Sequence, residues 1–211
     1  MKLIGMLDSP YVRRVAVSLQ FLGLRFEHQS LSVFRTLTQF QQINPVVKAP
    51  TFICDDGTVL MDSTLILQYA EAVASPRSLM PAEQGELAQA LRVIGLALAA
   101  CEKSVQIVYE RQLRPPEKLH QPWISRVTAQ VLAAYGALEE EIVRLPRAVT
   151  RADGTQAGIC TAVAWQFTRE AISDLVPATR YPALAAFSAE AEALPEFRAA
   201  PHGDSTYRHP G

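Results

Sequence analysis

Over the first 75 residues, short apolar runs alternate with stretches whose apolar positions recur at helical spacing. Residues 2–7 (KLIGML) form an apolar run of strand length. Residues 11–22 then set Val12, Val15, Ala16, Leu19 and Leu22 on one helical face, and Gly23 closes the helix. RFEHQSLSV at 25–33 alternates in part, which predicts a second strand. Residues 35–43 predict a short helix stopped by Asn44-Pro45. APTFIC (49–54) and TVLM (58–61) flank the turn Asp55-Asp56-Gly57, the clearest hairpin signal in the chain. Asp62-Ser63 opens a further helix, STLILQYAEAVA. The order is therefore β-α-β-α-β-β-α. Its strand-helix-strand start favours a right-handed crossover and parallel pairing, and its hairpin adds an antiparallel edge. Residues 1–75 are expected to form an α/β domain on a mixed four-stranded sheet.

The texture changes at a linker, residues 76–82, which holds Pro76 and Pro81. Beyond it the spacing is helical throughout. Residues 83–112 and 119–145 are long, rich in Ala and Leu, and separated by Pro115-Pro116. A polar loop, RADGTQ, precedes a third helix at about 156–174, a short helix follows to about 193, and Pro195 starts one more turn. Residues 83–200 thus predict an all-helical domain. The tail PHGDSTYRHPG, residues 201–211, lacks apolar periodicity and is expected to be loose.

Composition narrows the class further. Hydrophobic residues make up 49% of the 211 and charged residues 19%, as in a globular protein with a substantial core. A net charge of −1 gives no global field for nucleic acid or an anionic membrane, and neither is expected as a partner. No apolar run reaches the roughly 18 residues of a membrane span. The N-terminus lacks the apolar core and small-residue cleavage site of a signal peptide. Cys54, Cys101 and Cys160 are odd in number and show no metal-ligand spacing. They read as buried small hydrophobes in a reducing, cytoplasmic protein with no metal. The histidines His28, His120, His202 and His209 are scattered.

Candidate chemistry starts at residues 8–14, DSPYVRR. Ser9 is a favoured helix cap and Pro10 a favoured first helical residue, so the pair starts a helix. A hydroxyl at that positively polarised end is also placed to hold an anion. Asp62-Ser63 repeats the arrangement at the start of the later helix.

SPYVRRV, NPVVKAP and DSTLI, in this order and with a change of domain near residue 76, resemble the cytosolic glutathione S-transferases. The resemblance is closest to bacterial members that open with S-P-[FY]-V-R, and it covers nearly the whole chain. It implies a thioredoxin-like domain followed by an all-α domain. It also implies glutathione as co-substrate, a homodimer and a role in detoxification. Ser9 would stabilise the glutathione thiolate, with Tyr11 as the alternative donor. Pro50 would be a cis proline that leaves the N–H and C=O of Ala49 open to the cysteinyl part of glutathione. Val47 stands where the family pattern has Gly. Ser63 would bind the γ-glutamyl carboxylate and Asp62 the γ-glutamyl ammonium. Lys48 either reaches the glycyl carboxylate or is a solvated loop lysine. Val105, Tyr109 and Gln112 are candidates for the acceptor site, or else core or interface residues. Of Arg13 and Arg14, at least one is expected to face solvent or a domain interface, and neither is assigned to glutathione. The family also has a capping box, [ST]-x-x-D, before a helix of the second domain. Here it reads Thr155-Gln156-Ala157-Gly158, so Gly158→Asp is expected to raise the melting temperature.

The implied activity is transfer of glutathione to an electrophilic small molecule or a peroxide. A cysteine at the Ser9 position, which disulfide-exchanging relatives carry, is absent. The alternatives are a non-catalytic protein-binding module and a glutathione-dependent isomerase or dehalogenase.

Overall fold

The computed structural model describes residues 1–145, 151 and 153–209. By contacts the chain divides into two units: Met1–Leu79 together with the chain from Glu192 on, and Met80–Ala191. In the first unit, β1 (Lys2–Ile4) lies between β2 (Glu27–Gln29), its parallel neighbour, and β3 (Thr51–Ile53), which runs antiparallel. β4 (Val59–Met61) closes the hairpin at the sheet edge, giving the order β2-β1-β3-β4. Leu3 sits opposite both His28 and Phe52, and Leu3 and Phe52 are wholly buried. The paired strands are shorter than the apolar runs that signal them. Apolar runs report burial, and Gly5, Met6 and Leu7 stay buried after pairing with β3 has ended.

α1 (Pro10–Phe21), α2 (Leu37–Ile43) and α3 (Ser63–Ala74) complete the core of this unit. Pro10 occupies the first turn of α1. At its far end Gly23 takes φ +73°, with Gly23 N–H donating to Gln20 O and Leu24 N–H to Leu19 O. That paired closure satisfies the last carbonyls and needs a left-handed residue. α1 is buried from Val12 through Leu19, Arg13 and Arg14 included, so of the two expected places, solvent or a domain interface, solvent is excluded for both. Arg13 forms a bidentate pair with Glu192, at 2.6 Å on each oxygen, and donates through Nε to Ala200 O at 2.8 Å. Its guanidinium also lies 5.6 Å from the Phe197 ring, in α8 (Pro195–Ala199).

The C-terminal segment, expected to be loose, is instead bound to this unit as far as residue 207. Tyr207 is buried and stacks on Phe26 at 4.4 Å. Its N–H donates to His28 Nδ1 at 2.9 Å, and His28 Nε2 donates to Gly5 O at 2.7 Å. Those two bonds need a neutral ring protonated on Nε2. Burial pushes the His28 pKa below its usual value, and the bond to Gly5 O only partly opposes this. A depressed folded-state value means that the contribution is complete above the unfolded value of about 6.5. It is lost as the pH falls from there through the folded value. Protection of the Tyr207 amide against hydrogen exchange, corrected for the intrinsic rate, is expected to fall as the pH is lowered below about 6. Equal protection at neutral and acid pH would contradict this.

The second unit is helical: α4 (Gln84–Leu113), α5 (Gln121–Arg144), α6 (Gln156–Ile172) and most of α7 (Pro182–Glu192). α4 packs against both α5 and α6. Its centre is a ring cluster of Tyr135, Trp165 and Tyr181. The buried Tyr135 hydroxyl donates to Ala164 O at 2.8 Å and meets Thr168 Oγ1 at 2.6 Å. Thr155 caps α6, accepting from Gly158 N at 3.1 Å. The basis for a gain from Gly158→Asp is missing, because the Thr155 N–H that a new carboxylate would engage already donates to Arg151 O. Gly158 is also buried, where an added carboxylate is costly. Among the described residues no helix is long and apolar enough to cross a membrane.

Candidate functional site

Ser9 is the N-cap of α1, with extended backbone at φ −72° and ψ 123°. Its Oγ accepts from Val12 N at 3.4 Å, a long bond that uses one lone pair. The hydroxyl proton is untouched by that role, so the same group can cap and donate. Tyr11 lies in the first turn of α1 and is half-buried. Asp8 precedes the cap. Burial pushes its carboxyl up, His202 pulls it back, Asp204 adds to the rise, and the Ser9 N–H and Arg35 hold it down.

The loop before β3 carries the second group of residues. Val47 takes φ +55°, in the region that a β-branched residue adopts only with strain. The backbone path that glycine would supply is therefore kept, and Val47 packs on the cluster of Ile4, Leu31 and Phe40. The Ala49–Pro50 bond is cis. Among the described residues neither the Ala49 N–H nor its C=O is engaged by another backbone group. A Cβ built on Gly5 would stand 3.3 Å from Ala49 Cβ and 2.6 Å from Val12 Cγ2. That close approach, together with φ +134°, requires glycine after β1 and sets the Pro50 loop beside α1. The Lys48 side chain is half exposed, its Nζ 3.8 Å from Asp62 Oδ2. The Lys48 C=O accepts from Thr51 Oγ1 at 2.7 Å.

Asp62 caps α3, accepting from Thr64 N at 2.9 Å, and holds φ +72° and ψ 121°. Such a conformation is rare for a residue with a side chain and concentrates at ligand sites. Ser63, the first residue of α3, is buried, and its Oγ accepts from Arg14 Nη1 at 3.1 Å. Arg14 Nη1 also reaches Thr64 Oγ1 at 3.4 Å.

These contacts gather three of the expected segments onto one region of the first unit. Arg14 ties α1 to the start of α3, the Gly5 approach ties α1 to Ala49, and Lys48 meets Asp62. Lys48, Ala49, Asp62 and Ser63 take part in these contacts, and Ser9 caps the helix that carries Val12 and Arg14. Val105 and Tyr109 lie in α4, in the second unit, where Val105 is half-buried and Tyr109 exposed. Arg14 is the residue that sequence reasoning passed over. Nothing local in α1 announced its burial, because its partners Ser63 and Thr64 lie 49 and 50 residues away. Among the described residues no group of His, Cys, Asp and Glu is arranged to hold a metal ion.

The mixed four-stranded sheet and its helices make a thioredoxin-like domain of the glutathione S-transferase N-terminal type, followed by a mostly helical region. Residues 3–78 match the family model of the glutathione S-transferase N-terminal domain. The chain is 25% identical over 143 residues to the uncharacterized GST-like protein YibF of Escherichia coli, covering 68% of this chain and 70% of that one. A glutathione transferase family member from Pseudomonas fluorescens Pf-5, solved with bound S-(propanoic acid)-glutathione, is 29% identical. It superposes with a TM-score of 0.78 over 94% of this chain and 95% of its own. A glutathione S-transferase from Methylobacterium radiotolerans, in complex with glutathione sulfonate, is 25% identical. Its TM-score is 0.86 over 97% and 96% of the two chains.

Proposed function

We propose that this chain is a cytoplasmic, homodimeric glutathione S-transferase that binds glutathione and activates its thiol for attack on an electrophilic small molecule or a peroxide. The observation that carries the reading is the pair of capped helix starts, those of α1 and α3, two helices that Arg14 links. Ser9 and Ser63 each accept a hydrogen bond that leaves the hydroxyl proton available, and Ala49, whose backbone is open among the described residues, comes close to Gly5 as Val12 of α1 does. The glutathione ligands of the similar bacterial proteins support the same choice of co-substrate.

Ser63 takes the γ-glutamyl carboxylate, Asp62 the γ-glutamyl ammonium, and Ala49 the cysteinyl backbone. Lys48 lies within reach of the glycyl carboxylate. Ser9 then donates to sulfur. A free thiol has a pKa of about 8.5. A hydrogen bond to an anion is worth about 1.5–3 kcal/mol and a helix start about 0.3–1 kcal/mol more. At about 1.4 kcal/mol per unit, the two lower the thiol pKa by roughly one to three units. The thiol proton leaves to solvent. The thiolate bonds to the electrophilic carbon as the leaving group departs with the electron pair of its broken bond. With a peroxide it bonds to one oxygen as the O–O bond breaks, and the other oxygen leaves as an alkoxide that takes a proton from solvent.

The test is a pH titration of bound glutathione by ultraviolet thiolate absorbance, on protein whose mass in solution is checked by light scattering. The expected result is a dimer whose bound thiol is mostly ionised at neutral pH. Glutathione that binds with an unshifted thiol would turn the reading to a non-catalytic binding module, and no binding would end it. A particle of monomer mass would remove the dimer.

A further inference from the structure

Two adjacent arginines of α1 are buried, and they differ in one respect. Arg13 has its carboxylate, Glu192. Arg14, 3% exposed, has only neutral side-chain partners among the described residues: the hydroxyls of Ser63 and Thr64 at 3.1 and 3.4 Å. Its Nε is buried and has no acceptor among the described residues. Asp62, the nearest acid in sequence to those hydroxyls, is already spent on the Thr64 N–H and faces Lys48. A guanidinium removed from water without a counter-ion is unfavourable, and proteins retain one where an anion is to be received.

The neighbourhood states where that anion goes. Nη1 meets the first two side chains of α3, a twelve-residue helix whose starting N–H groups form a positive end. Because Ser63 Oγ accepts from Arg14, its own proton points elsewhere, as a donor. We propose that Arg14 is the buried counter-charge for a substrate carboxylate seated at the start of α3, and that it holds Ser63 in the orientation that presents its O–H to that carboxylate. Arg14 is thus a positioning residue, acting through Ser63 and through its charge. The inference rests on the glutathione reading, in which the carboxylate belongs to the γ-glutamyl end.

The experiment compares two probes by calorimetric titration: glutathione, and γ-aminobutyryl-cysteinylglycine, which lacks only that carboxylate. Arg14→Met is expected to weaken glutathione by about ten- to a hundredfold and the analogue by less than about twofold. Arg14→Lys keeps the charge without the fork and is expected to fall between wild type and Arg14→Met for glutathione alone. Should Arg14→Met fail to fold, Arg14→Lys carries the same comparison. Equal losses for both probes would make Arg14 a packing residue and overturn the proposal, as would no loss with either. Wild type that binds neither probe overturns the glutathione reading itself, a result distinct from those two.

Discussion

Ser9→Ala is expected to raise the pKa of bound glutathione by about one to two units while leaving its affinity within a few-fold of wild type. The asymmetry follows from where the hydroxyl acts. Its bond to Val12 N is long, at 3.4 Å, and α1 keeps Pro10 in its first turn without it. Loss of a serine cap costs about 1 kcal/mol of stability, so the variant should fold. In the proposed binding mode Ser63, Asp62 and Ala49 hold glutathione without Ser9. What is removed is a donor that is worth more to a thiolate than to a thiol, and the rate of conjugation at neutral pH should fall about ten- to a hundredfold. Raising the pH should restore part of it, because solvent then ionises the thiol without help. A bound thiol equally acidic in wild type and variant would reduce Ser9 to a cap and move the search to Tyr11.

The second large effect lies in stability. Arg13→Met is expected to destabilise the first unit by about 3 kcal/mol, at the low end for breaking a buried pair because Glu192 keeps a quarter of its side chain in solvent. The loss has named parts: two charge-assisted bonds to Glu192, one to Ala200 O, and the contact with the Phe197 ring. For a chain of this size it corresponds to a fall in melting temperature of about 6–12 °C. Replacing both partners, Arg13→Met with Glu192→Leu, should recover part of the loss, since no charge is then left unpaired. A fall of less than about 3 °C in the single variant would mean that solvent already screens the pair.

What the residues announce and what they conceal divides along a physical line. α3 runs from Ser63 to Ala74, the bounds that Asp62-Ser63 and the following apolar spacing predict, because caps and periodicity are local. The hairpin is legible for the same reason: Gly57 supplies φ +86° at its turn. Ser9, Asp62 and Ser63 stood out because each sits at a helix start, a place visible in sequence. The burial of Arg13 and Arg14 was hidden, since it depends on Glu192 and Ser63, partners 179 and 49 residues away. Tyr207 was hidden likewise. A lone aromatic in a polar tail carries no period, and its partner, His28, lies 179 residues upstream.

That closing segment bears on how the protein is made. Synthesis delivers residues 1–79 first, yet Arg13 awaits Glu192, and Phe26 and His28 await Tyr207. The helical unit, Met80–Ala191, is complete in the nascent chain before the sheet unit that precedes it. The order of maturation therefore inverts the order of translation. The unit that holds Ser9 and Ser63 gains its contacts at Phe26 and His28 only when residue 207 has been added.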